Sequence, residues 1–143
     1  MAVQYDPNHI NSQSNLGQLL QAAGKPEEAL PHLEIAVRFR PELIEARNAL
    51  ADAYSQTGHQ NQAIEHFQAI LKQAPDFYPA YANLARTLAL VNRSDEALAA
   101  AQKGMEIARS AGQSAAAEHI EEWIEHYRTE LKRTGVVSEP AKQ

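Results

Sequence analysis

The 143 residues carry a formal charge of −5, with 44% apolar but only 6% aromatic residues. The negative balance, with no basic run to offset it, argues against nonspecific binding to nucleic acid or anionic lipid, and the absence of cysteine removes disulfides, thiolate metal sites and cysteine nucleophiles. An alanine-rich, aromatic-poor chain favours closely packed helices over a sheet-based core, and no apolar run is long enough to span a bilayer.

The first residues, MAVQYDPNHI, have neither the charged nor the apolar region of a signal peptide. Ala2, Val3 and Pro7 lie 34 residues before Ala36, Val37 and Pro41. Residues 1–9 therefore read as the remnant of a preceding repeat or as an N-terminal extension. A first helix is predicted near residues 9–23 and ends at Gly24. A second follows with Pro31 in its interior, where proline removes one backbone hydrogen bond and predicts a gentle bend on the outer face. Pro41 closes this unit, residues 10–43.

The same interval recurs downstream. Leu16, Leu50 and Leu84 are 34 residues apart, as are Ala29, Ala63 and Ala97, the pair Pro41 and Pro75, and the series Gly24, Gly58 and Asn92. The exchange of glycine for asparagine has a mechanism, because these two residues best tolerate the left-handed conformation that ends a helix. In the second unit, residues 44–77, the stretch LIEARNALADAYSQ places Ala46, Leu50, Ala53, Tyr54 and Thr57 on one helical stripe. After Gly58, Ala63, Ile64, Phe67, Ile70 and Leu71 share one face of the next helix. Pro75 cannot donate a backbone hydrogen bond and pushes Ala74 out of helical geometry, so one helix must stop there before another starts. One such hairpin cannot bury its stripe alone, so neighbouring hairpins must stack.

The third unit, residues 78–111, keeps Tyr81, Leu84, Ala85, Leu88 and Ala97 but has Ala101 at the position of Phe67 and Arg109 at that of Pro75. Beyond it the register fails. SAAAEHIEEWIEHYRTELKRTG aligns Ala116, Ile120, Trp123, Ile124, Tyr127 and Leu131 on one stripe, with acidic residues opposite and Lys132, Arg133 and Gly135 forming a helix end. Residues 112–134 are read as a helix that caps the last repeat, with Trp123 in its core, and residues 135–143 as a disordered tail.

The pattern resembles the tetratricopeptide repeat family, whose unit places leucine, glycine or alanine, tyrosine, alanine, phenylalanine and proline at set offsets. The second unit matches it best through Leu50, Ala51, Tyr54, Gly58, Ala63, Phe67 and Pro75; the first carries Leu16, Gly17, Leu20, Gly24, Ala29, Leu33, Ala36 and Pro41. The resemblance implies an all-α, right-handed superhelical solenoid of three hairpins plus a C-terminal capping helix. It also implies that the first helix of each hairpin lines a concave groove for an extended peptide or partner helix. That face maps onto Asn11, Ser14, Gln18 and Gln21, then Glu45, Asn48, Asp52 and Ser55, then Ala82, Arg86 and Ala89. Asn15 and Asn83 sit at equivalent border positions and fit the family's asparagine ladder, in which side-chain amides pair with a peptide backbone. Unit two has Ala49 there, with Asn48 displaced by one residue. The family's carboxylate clamp for chaperone tails would use Ser14, Gln18, Ala49, Pro79 and Asn83, none of them basic. Arg86 remains as an anchor for a single carboxylate or as a partner for Asp52.

No residue set assembles a catalytic, metal or cofactor site. His119, Glu122 and His126 share an arc of the last helix without a zincin-type signature, and His32 and His66 are equivalent through repetition alone. There is no nucleophile elbow or glycine-rich phosphate loop. The expectation is a noncatalytic protein–protein interaction scaffold whose partner is a protein or peptide, with no nucleic acid and no direct membrane insertion. Two rival readings stand beside it. One is an accessory C-terminal domain of a larger, membrane-bound enzyme. The other is a homo-oligomer stacking through an N-terminal flank that includes Leu16 and Leu20. The compartment stays open between the cytoplasm and, for part of an exported protein, the periplasm.

Overall fold

The computed structural model describes residues 6–135, and within them seven helices and no strands. The expectations for residues 1–5 and for the tail at 136–143 lie outside the described residues. The helices are α1 (Pro7–Ala22), α2 (Pro26–Phe39), α3 (Ile44–Gln56), α4 (Gln60–Gln73), α5 (Tyr78–Leu90), α6 (Ser94–Ser110) and α7 (Ser114–Thr134). The chain divides into two compact units, residues 1–73 and 74–143. In the first, α1 packs on α2, α3 on α4, and α2 and α1 on α3; in the second, α5 packs on α6 and α6 on α7.

The hairpin turns follow the repeat. Gly24, Gly58 and Asn92 have φ of +77°, +89° and +61°, the left-handed region predicted for all three. The residue after each donates its backbone N–H five residues back: Lys25 to Leu20, His59 to Tyr54 and Arg93 to Leu88, at 2.8–2.9 Å. This satisfies a carbonyl that the helix end would otherwise leave without a partner.

Two helices depart from the repeat for identifiable reasons. α6 has 17 residues against 14 in α2 and α4, because Arg109 stands where Pro41 and Pro75 interrupt the others. α1 has 16 residues against 13 in α3 and α5. It starts at Pro7, ahead of the predicted start near residue 9, because the Asp6 carboxylate accepts from the Asn8 N–H at 3.0 Å and caps it. A proline in the first helical turn sacrifices no intrahelical bond. Pro31 lies inside α2 with its ring exposed.

The first unit's core joins Ala29, Leu33, Leu50 and Ala53, with Leu20, Val37, Ala49 and Tyr54 packed against them. Leu20, expected on an open N-terminal flank, therefore faces inward; Leu16 and Leu19 remain exposed, at 43% and 68%. Gly17 lets α1 approach α2: a Cβ built there would meet Leu33 Cγ at 2.5 Å. In the second unit Ala85, Ala101, Met105, Ala108, Ala117, Ile120 and Ile124 form the core. There Gly104 plays the same part, since a Cβ would come within 2.8 Å of Tyr81 Cβ. Among the described residues no helix is long and apolar enough to cross a membrane.

Candidate functional site

In the first unit, residues of α1 and α3 line a shallow recess of about 480 Å3 that includes Asn11, Ser14, Asn15, Gln18 and Glu45. Several polar groups in and beside it engage one another. Arg40 donates to Asn11 Oδ1 at 3.2 Å, and Gln18 Nε2 donates to Ser14 Oγ at 2.9 Å. Gln21 and Gln56 both donate to Asp52 Oδ2, at 2.7 and 2.9 Å. The Arg40 guanidinium, 2.9 Å from Glu42, also holds that carboxyl below the usual carboxylate range, chiefly through their hydrogen bond. Asn11, Asn15 and Glu45 are exposed, and Gln18, Gln21, Asn48 and Asp52 are half-buried. Ser14 and Ser55 retain only 6% and 4% of their exposure, so they belong to the packed interior of the unit.

In the second unit the corresponding face is built differently. Tyr78, Pro79, Ala82, Asn83 and Arg86 of α5, Ala101 of α6, and Ala116, His119, Ile120 and Trp123 of α7 surround a cavity of about 280 Å3. Arg86 donates to Asn83 Oδ1, which orients the guanidinium along α5. Trp123 stacks on Tyr127 with ring centroids 5.0 Å apart, and the Tyr127 hydroxyl donates to Ser94 Oγ at 2.9 Å. The indole is thereby braced against the start of α6. Trp123, expected in the core, is half-buried and forms a wall of the cavity. Among the groups lining this space the ionisable ones are Arg86, His119 and Tyr78, with no carboxylate.

The cavity has a cause that can be read in the repeat. Leu33 and Phe67 occupy one register position in the first two hairpins, and both are fully buried. Ala101 holds that position in the third, is equally buried, and lines the cavity. Ala101 thus sets a methyl group in the cavity lining where the other two hairpins carry a large side chain. Asn83, Arg86 and Ala101 are marked by the repeat, whereas Tyr78, His119 and Trp123 come together only in the fold. The usable signal was the small residue at 101.

The histidines have local explanations. His32 Nδ1 lies 2.6 Å from Gln13 Oε1. His66 stacks on Tyr54 at 5.6 Å, and Arg47 Nε donates to its Nδ1 at 3.4 Å. Burial first, and then the Arg47 charge, push its pKa below the ordinary histidine value. Among the described residues no group of three His, Cys, Asp or Glu is arranged to hold a metal ion.

Two family models, both described as tetratricopeptide repeat, match this sequence, one over residues 44–87 and the other over residues 11–34 and 79–103. No curated protein matches it. The crystal structure of YrrB, a TPR protein with an unusual peptide-binding site, is 25% identical with a TM-score of 0.69, over 80% of this chain and 57% of that one. The TPR2AB domain of yeast Sti1 in complex with pHSP90 is 15% identical with a TM-score of 0.77, over 86% and 48% of the two chains. PcrH from Pseudomonas aeruginosa is 13% identical with a TM-score of 0.78, over 87% and 96%. This chain thus spans only about half the length of the first two, and the last two likenesses concern the fold alone.

Proposed function

This chain belongs to the tetratricopeptide repeat family, and we propose that it is a noncatalytic protein-interaction scaffold holding a peptide or partner segment. The binding faces are those of α1 and α3 in the first unit and of α5 and α7 in the second. The observation that carries this reading is the walled cavity between α5 and α7, open to solvent and edged by hydrogen-bonding groups of Asn83 and Arg86. A recess set on rigid helices loses little entropy when it is occupied. The peptide-binding site of YrrB and the peptide complex of yeast Sti1 support the reading by analogy of fold. Asn11, Asn15, Gln18, Gln21, Glu45, Asn48 and Asp52 would offer amide and carboxylate contacts from the first unit, with Ser14 and Ser55 beneath them.

The test is selection of random dodecamer peptides, displayed on phage, against the full chain, followed by photo-crosslinking of the enriched sequences. Attachment to α1, α3, α5 or α7 supports the proposal. Failure to enrich any sequence, or attachment confined to α2, α4 and α6, overturns it.

A second reading, self-association, is favoured by the exposure of Leu16 and Leu19 on α1. Light scattering over a concentration series should then show assembly that Leu19→Glu abolishes while the helical circular dichroism is kept. A monomer at every concentration removes this reading.

A further inference from the structure

We propose that Arg47 and His66 form an acid-released latch between α3 and α4: neutral His66 accepts a hydrogen bond from Arg47 at Nδ1, and protonation of that nitrogen breaks the contact and loosens the hairpin. Both side chains are half-buried, with Arg47 Nε 3.4 Å from His66 Nδ1. A guanidinium has donors and no acceptor, so Nδ1 presents its lone pair and the ring proton sits on Nε2. The equivalent pair in the first hairpin, 34 residues earlier, is Gln13 and His32. There His32 Nδ1 lies 2.6 Å from Gln13 Oε1, a carbonyl oxygen, so Nδ1 carries the proton and donates. One register position thus holds histidines in opposite tautomers, set by arginine in one hairpin and glutamine in the other.

An imidazolium has N–H groups at both nitrogens and accepts at neither. At His66 the added proton would point at the Arg47 donor, and two positive charges would face each other across that contact. Arg47 then has to leave. The surroundings of the ring set the balance. Burial opposes the charged ring most, Arg47 opposes it next, and Glu65 on α4 itself acts more weakly in its favour. From α3 the Tyr54 ring also stacks on the imidazole, with centroids 5.6 Å apart. The Tyr54 hydroxyl donates to Glu34 of α2 at 3.0 Å, which places that carboxylate one ring away from His66, and His59 meets the edge of Tyr54 at 5.9 Å. The closed hairpin therefore resists the proton while an opened one accepts it, and acid favours opening.

Nitrogen-15 NMR of the full chain at pH 8 reads the tautomer directly, and His66 should carry its proton on Nε2. Amide hydrogen exchange at pH 7.5 and 5.5, corrected for intrinsic rates, reads the latch. Protection along α3 and α4 should fall with acid, by a factor that linkage to an unfolded histidine near pH 6.5 limits to about 10. The fall should shrink in Arg47→Gln, which introduces the residue type already present as Gln13 and can pair with either form of the ring. It should vanish in His66→Gln, whose neutral amide still accepts from Arg47. A proton on Nδ1 of His66 in the unaltered chain overturns the proposal. So does an acid loss of protection spread evenly over α1 to α4, or an undiminished fall in either variant. No ligand enters this test, so its outcome is separate from that of the scaffold reading.

Discussion

The two units solve one problem in opposite ways. In residues 1–73 the register position between paired helices is filled by Leu33 and Phe67, and the polar groups above it are tied to one another, Gln18 to Ser14 and Gln21 and Gln56 to Asp52. In residues 74–143 the same position shrinks to Ala101, and the face above it keeps a cavity with an arginine on its edge. Similar helical hairpins thus give one surface with several groups already partnered and another with a cavity. Under the scaffold function proposed above, ligand selectivity would belong mainly to the second unit.

The largest test of that contrast is Phe67→Ala. Truncating a fully buried phenylalanine should cost about 3–5 kcal/mol, read as a lowered urea midpoint. Ala101→Leu at the equivalent position should do the reverse, gaining about 0.5–2 kcal/mol by filling space. Equal destabilisation by both would end the comparison.

Next in size is Gly17→Ala. The new Cβ would lie 2.5 Å from Leu33 Cγ, whereas Ala51 and Ala85 occupy the same register position in the other hairpins. Overpacking costs roughly 1–3 kcal/mol, and improved helix propensity returns only about 1 kcal/mol. Net destabilisation in chemical denaturation is expected, and a neutral result would mean that α1 can retreat from α2.

Smaller again is the turn at Asn92. With φ at +61°, Asn92→Ala should lose about 1 kcal/mol, while Asn92→Gly should be close to neutral because Gly24 and Gly58 already serve there. Equal thermal midpoints for the two variants would contradict the conformational argument.

The smallest effect concerns His66. His66 has a folded pKa below its unfolded value, so the unfolded chain binds more protons below that unfolded value. Stability is therefore fully present above about pH 6.5 and is lost as pH falls from there through the folded pKa. His66→Gln should flatten this part of the stability–pH curve relative to the unaltered chain, measured by denaturation at pH 7.5 and 5.5. An unchanged slope would remove His66 as its source.

Much of this architecture was legible because spacing and backbone chemistry agreed. The constant interval, the prolines between hairpins and the glycine-to-asparagine exchange within them each demand a helix end, and the turns are there. Depth was less legible than direction. Helical periodicity turned Trp123 toward its neighbours but could not say that Ala101 would leave it beside a cavity, since that depends on a volume contributed by another helix. Ser14 and Ser55 were assigned to an open face because serine is polar; a hydroxyl that bonds locally is buried at little cost, as Ser14 is with Gln18. Pro7 shared the register of two helix terminators yet starts α1, because Asp6 in front of it supplies a cap.

Ala101 also bears on how a modular protein diversifies. Where every module must keep the same stride to fit its neighbours, added bulk disturbs the whole array, but atoms removed from the inside of one module leave its frame untouched. A module's surface can then be altered by subtraction at a single codon, and the filled form can be approached by writing the missing atoms in.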